Sequence, residues 1–144
     1  MKVKIVNRSK NAIPEYSTSE SAGVDLRADI EEGLRLESLE RKLIPTGLYV
    51  ELPKGTEAQI RPRSGMAYKH GISVLNSPGT IDSDYRGEIK VLAVNLSKES
   101  YEIQPGERLA QMILARYETF DWEEVKDLDN SERGEGGFGS TGKH

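Results

Sequence analysis

Apolar runs in this chain are short, recur roughly every 8–12 residues, and are separated by glycine- and proline-bearing turns. Lys2 to Val6 alternates charged and apolar residues, and Ala22 to Ala28 places Val24, Leu26 and Ala28 on one face. Leu34, Leu36 and Leu39, with Leu43-Ile44-Pro45-Thr46-Gly47, predict two short strands. Leu48 to Leu52, Glu57 to Arg61, Ile72 to Leu75, Val91 to Val94 and Tyr101 to Ile103 predict more. Glu31-Glu32-Gly33, Pro53-Lys54-Gly55, Asn76-Ser77-Pro78-Gly79 and Gln104-Pro105-Gly106 punctuate them. Leu109 to Phe120 is long enough for a helix, but Met112-Ile113-Leu114-Ala115 does not fit one amphipathic stripe and predicts a strand. No alternation of strand and helix is visible. The pattern predicts an all-β fold, a jelly-roll-like sandwich or barrel. It allows one short helix, capped by Ser64 and stopped at Gly71.

A length of 144 residues fits one domain. The net charge is -4 with both signs interspersed, so no surface for duplex nucleic acid is expected. The chain has no cysteine and 2 histidines, which excludes disulfides, thiolate metal sites and a histidine zinc site. No apolar run approaches the roughly 18 residues of a membrane span, and no targeting segment is evident. The expectation is a soluble cytoplasmic protein that engages neither membrane nor nucleic acid.

The densest chemistry lies at Gly79-Thr80-Ile81-Asp82-Ser83-Asp84-Tyr85-Arg86-Gly87-Glu88-Ile89-Lys90. Read as a tight hairpin, it displays Asp82, Asp84 and Tyr85. Residues two apart on a strand share a face, and two carboxylates that close would compete for a proton, which suits a general base. The plain alternative is a solvated acidic hairpin. Arg63-Ser64-Gly65, at a helix start, gathers a guanidinium, a hydroxyl and backbone N–H groups for an anion, or is simply a capped turn. Arg108 and Gln111 add donors, or simply belong to a turn running into a strand, and Asp25 puts a carboxylate into an apolar strand, either as a satisfied structural acid or as a ligand, directly or through water, of a hard cation. Residues 133–142 hold five glycines, with Arg133, Phe138, Ser140 and Thr141 among them. The glycine spacing has neither the strand before it nor the helix after it that a dinucleotide fingerprint or P-loop needs. It reads either as a plain glycine-rich tail or as a phosphate clamp with an aromatic to stack on a base. Together these residues describe a nucleotide polyphosphate site with hydrolytic chemistry.

Five segments, in order, resemble the trimeric deoxyuridine triphosphatase family. They are Ala22-Gly23-Val24-Asp25-Leu26, Pro62-Arg63-Ser64-Gly65, Gly79 to Ile89, Gly106-Glu107-Arg108 through Gln111-Met112, and Arg133-Gly134 through Gly142. The resemblance spans about residues 22–142. It implies a jelly-roll homotrimer with active sites shared between subunits. The implied reaction is Mg2+-assisted hydrolysis of dUTP to dUMP and pyrophosphate, which limits uracil in DNA and supplies dUMP for thymidylate synthesis. By the same resemblance Asp82 is the general base acting on water at the α-phosphorus, and Tyr85 packs on the deoxyribose. The hairpin around Asn76, Gly79 and Ile81 reads uracil, with Lys90 alongside. Arg63, Ser64, Gly65 and Gln111 hold the phosphates. Asp25 supports, through water, a Mg2+ held mainly by the triphosphate. Residues 1–132 form the β domain, and residues 133–144 form a flexible lid that closes Arg133, Phe138, Gly139, Ser140 and Thr141 over the nucleotide. Two other readings stay open on this fold: a dCTP deaminase, and a regulator whose partner binding is switched by nucleotide.

Overall fold

The computed structural model of the chain describes residues 1–137. Its elements are β1 (Lys4–Asn7), β2 (Gly23–Arg27), β3 (Leu34–Leu36), β4 (Arg41–Glu51), β5 (Thr56–Pro62), α1 (Ser64–His70), β6 (Ile72–Val74), β7 (Gly79–Ile81), β8 (Ile89–Asn95), β9 (Tyr101–Ile103) and β10 (Arg108–Arg116). One four-stranded sheet runs β1-β4-β8-β6, a second runs β2-β10-β5-β7, and β3 pairs with β9. Among the described residues no two strands adjacent in sequence pair with each other, and from β4 to β8 the chain changes sheet at every step. That is the jelly-roll arrangement expected from the many short strands.

Period-two patterning decides which side chains meet between the sheets. β5 buries Thr56, Ala58 and Ile60 and turns Glu57, Gln59 and Arg61 outward. Leu26, Ile60 and Leu109 from one sheet join Ile44, Val50, Ile72, Ile89 and Val91 from the other in one buried cluster. Leu26 and Ile89 are wholly buried. Each such side chain contributes about 1.5–3 kcal/mol by leaving water.

Three local expectations are corrected. The two strands expected on either side of Gly47 are one, β4. The β4–β8 register shifts between Pro45 and Leu48, so Thr46-Gly47 forms a bulge that absorbs the irregularity at proline. Gly47 has φ 67°. A Cβ there would lie 2.6 Å from Ser9 Cβ and 2.8 Å from Asp29 Oδ2, so only glycine fits. The buried Thr46 hydroxyl donates to Ile89 O at 2.5 Å and staples the bulge to β8. Second, the acidic stretch is not a hairpin. β7 pairs with β5 while β8 pairs with β4 and β6, so residues 82–88 arch from one sheet to the other. Third, the helix before Gly71 begins at Ser64, but its N-cap is Arg63 and no side chain caps it. Gly71, in the left-handed region, ends it as expected.

Candidate active site

Strand register builds the first half of the site. Asp25 lies opposite Gln111 across β2–β10, and Gln111 lies opposite Arg61 across β10–β5. The neighbouring positions Leu26, Ala110 and Ile60 face the core, so Asp25 and Gln111 share the outer face. Asp25 accepts Arg63 Nε–H at 2.9 Å on one oxygen and Arg108 Nη1–H at 3.2 Å on the other. Arg63 also donates to Arg108 O at 3.3 Å. The Asp25 and Arg63 side chains are 26% and 29% exposed, a half-buried setting in which an ion pair holds geometry better than it would in open water. A guanidinium carries five N–H donors, so each arginine keeps several for an anion. Gln111 Nε2 donates to Pro62 O at 3.1 Å. A Cβ on Gly23 would come within 3.1 Å of Gln111 Oε1 and 3.2 Å of Ile113 Cγ1, so this glycine leaves room for Gln111 to lie across the sheet. The first helical bond is Ala67 N–H to Arg63 O, 3.0 Å, so the amides of Ser64 and Gly65 precede it. These residues line an open polar cavity of about 380 Å³, closed on one side by Ser17 and Ser21 of the loop after β1. The two serines went unnoticed in sequence because nothing in a polar loop says which strand it will fold against.

Tyr101 stands behind this cradle and donates its hydroxyl to the Glu107 carboxylate. Glu107 also accepts Gln104 N–H at 2.8 Å, fixing the turn that delivers Arg108. Burial, and then the bond to Glu107, push the Tyr101 phenol up to about 12.

The second half is the arch. A turn closes with Tyr85 N–H to Asp82 O at 3.2 Å, and Arg86 Nη1 donates to Ser83 O and Tyr85 O at 2.8 and 2.9 Å. Asp82 and Asp84 are exposed on this turn. They are not alternate residues of a strand, so the shared-face argument for the pair does not apply. Tyr85 donates its hydroxyl to Glu88 O at 3.0 Å, and its ring lies over Gly87, where a Cβ would run into the ring and hydroxyl. The Glu88 carboxylate accepts Gly47 N–H at 2.9 Å on Oε1 and stands 3.5 Å from Lys90 Nζ on Oε2. Asp82, Tyr85, Ile81, Lys90 and Glu88 line a cavity of about 290 Å³. Asn76 folds over the buried Gly79, where a Cβ would meet its Nδ2 at 3.1 Å.

These halves do not meet. Ile81 pairs with Ala58, so the chain leaves β7 toward the start of β5, whereas Arg63 follows the end of β5 at Pro62. At about 3.4 Å per extended residue, the length of β5 puts the arch and the cradle on the order of 20 Å apart. The two cavities share no lining residue. Arg133 lines neither; it is exposed and donates Nε–H to Gly136 O at 2.7 Å. Phe138, Gly139, Ser140 and Thr141 lie outside the described residues.

Among the described residues no three His, Cys, Asp or Glu side chains gather as a metal site. Each oxygen of Asp25 already accepts from an arginine. This donor set does not fit a protein-held cation. It does fit a hydrated divalent cation brought by a bound anion, since a carboxylate retains lone pairs for one bridging water.

A model of the dUTPase family matches residues 9–142. The deoxyuridine 5'-triphosphate nucleotidohydrolase of Cytophaga hutchinsonii is 62% identical over 141 residues, 98% of this chain and 92% of that one. The Finegoldia magna protein of the same name is 58% identical over 142 residues, 99% of each. Among solved structures, a mutant dUTPase of Staphylococcus bacteriophage 80alpha with dUpNHpp superposes with a TM-score of 0.87 at 28% identity, over 98% of both chains.

Proposed function

The chain belongs to the dUTPase family, and from that premise we propose how it hydrolyses dUTP to dUMP and pyrophosphate. Arg63, Arg108, Gln111 and Ser64 hold the triphosphate. Asp25 fixes the two guanidiniums before substrate arrives, so their orientation is settled in advance of the chemistry. Asp82 accepts a proton from water as the water oxygen bonds to the α-phosphorus. The bond from that phosphorus to the bridging oxygen breaks, and pyrophosphate leaves. The Tyr85 ring, pinned by its hydroxyl bond to Glu88 O, presents its face to the sugar, and the Asn76–Ile81 stretch meets uracil. Magnesium, when bound with the triphosphate, neutralises charge on its oxygens, and Asp25 would meet it through a water. Residues 133–144 supply a lid, with Arg133 for the terminal phosphate.

One observation carries the assembly: a general base must lie within hydrogen-bond reach of the water it activates, yet arch and cradle occupy opposite ends of β5. We therefore assign each complete site to more than one copy of the chain, in a homotrimer. Co-refolding Asp82→Asn with Arg63→Ala tests this. Each variant alone is expected to be nearly inactive. Random assortment of the two should restore about a quarter of the sites, because some then combine an intact arch from one copy with an intact cradle from another. No recovery on mixing, or a fully active monomer by light scattering, overturns shared sites. Pyrophosphate release from dUTP, compared with dCTP, dTTP and UTP, tests the reaction itself, and ammonia from dCTP would make the chain a deaminase.

A further inference from the structure

The arch that carries Asp82 is tied mainly to itself. Its Asp82–Tyr85 turn, both Arg86 bonds and the Tyr85 hydroxyl bond all close within residues 82–88. Among the described residues one side chain of the arch hydrogen-bonds beyond it: Glu88, whose Oε1 takes the amide of Gly47 in the β4 bulge. The Glu88 side chain is 18% exposed, and its backbone carbonyl holds Tyr85. The amide it takes belongs to a glycine that no other residue can replace, in a bulge stapled to β8 by Thr46. A rigid point of the neighbouring strand, in the sheet that the arch enters at β8, is therefore joined, through one carboxylate, to the segment bearing the base and the sugar-facing ring.

We propose that Glu88 is a positioning residue. By pegging the arch to the Gly47 amide it sets where Asp82 and Tyr85 stand relative to the substrate. It touches neither water nor phosphorus itself. This rests on the reading of Asp82 as the base and Tyr85 as the sugar contact. A carboxylate displaced by about 1 Å can cost on the order of 100-fold in rate, so a peg of this kind acts on turnover and on sugar choice rather than on phosphate binding.

The test uses Glu88→Ala and Glu88→Gln in the full-length protein. Glutamine keeps an oxygen that can accept Gly47 N–H but no charge for Lys90. For Glu88→Ala the expected result is a kcat lower by roughly 10- to 100-fold, a KM little changed, and a higher UTP-to-dUTP activity ratio. Amide exchange at Gly47 should be fast in Glu88→Ala. Glu88→Gln should return kcat, the ratio and the slow exchange toward wild type. If Glu88→Ala does not fold, Glu88→Asp, one methylene too short for the peg, is read the same way. Unchanged kcat and sugar ratio in a folded Glu88→Ala or Glu88→Asp overturn the proposal. So does a Glu88→Gln variant as impaired as Glu88→Ala while Gly47 stays protected, because the charge would then be what matters. Wild-type protein inactive on dUTP would instead sink the functional reading, while the Gly47 exchange still reports whether the peg exists.

Discussion

The cradle and the arch solve the same problem, holding polar groups still, in opposite ways. The cradle borrows the rigidity of a sheet: Asp25 and Gln111 are placed by the register of β2 and β10, and a carboxylate between two arginines locks what projects from them. The arch is a link between sheets, Asp82 on it is exposed, and all its hydrogen bonds but the one from Gly47 to Glu88 are local. Phosphate charge is present in the substrate from the start, so a fixed cradle suits it. In the proposed reaction the proton to be removed is met only in a finished site, and until then the arch is held chiefly by its own turn bonds and by Glu88.

That contrast is broken most directly at Asp82. Asp82→Asn keeps the shape of the arch and removes the proton acceptor, and kcat is expected to fall roughly 10²–10⁴-fold with dUTP affinity retained. Comparable turnover in the variant, by pyrophosphate release, would leave the arch without its role. Next comes the segment that belongs to neither half. Deleting residues 133–144 removes none of the strands found among the described residues, so melting and oligomeric state should hold while kcat falls on the order of 100-fold, in line with losing one charge-stabilising donor. Undiminished activity would show that arch and cradle suffice. A smaller effect is expected at the cradle's centre. Asp25→Asn leaves Arg63 and Arg108 without a charged anchor, and such bonds are worth about 1.5–3 kcal/mol. KM should rise roughly tenfold, less than full loss because the pairs are partly hydrated. A change confined to kcat would argue against preorganisation.

The smallest effect is in stability alone. Tyr101 titrates near 12 in the folded chain against about 10 in ordinary surroundings. Folding thus favours the neutral phenol. Its contribution is intact below pH 10 and is lost as the pH rises toward 12. Tyr101→Phe should lower the melting temperature near neutrality yet flatten its decline between pH 10 and 12. Parallel melting curves across that window would show that the Glu107 bond does not matter to the frame behind Arg108.

Much of this was readable in the chain. Alternation placed Val24, Leu26 and Ala28 on one side of a strand, and Gly71 ended a helix, because both signals are local. Pairing was not readable. A hairpin and an arch between sheets both want polar turn residues between apolar runs, so residues 79–91 look the same either way, and the partner of each strand is far off in sequence. The break expected at Gly47 is a bulge within one strand for the same reason, since the groups around that glycine, Ser9, Asp29 and Glu88, are distant in sequence. Arg63 and Gln111 were legible as donors suited to phosphate, and Asp25 as a carboxylate suited to a hard cation or to a structural role. Their convergence at one end of β5, with Asp82 at the other, came only from register.

The position of β10 has a bearing on how the molecule is made. It is the last strand among the described residues, yet it lies between β2 and β5 and is the only neighbour β2 has in its sheet. A ribosome adding roughly 5–20 residues per second must therefore carry β2 unpaired while more than half the chain is synthesised. The second sheet cannot close until β10 has emerged. A product cut short before Arg108 would expose two strand edges able to pair with other chains. Closure of this sheet thus waits on β10, and the interval before β10 emerges is when an unfinished chain is most open to aggregation or to chaperone capture.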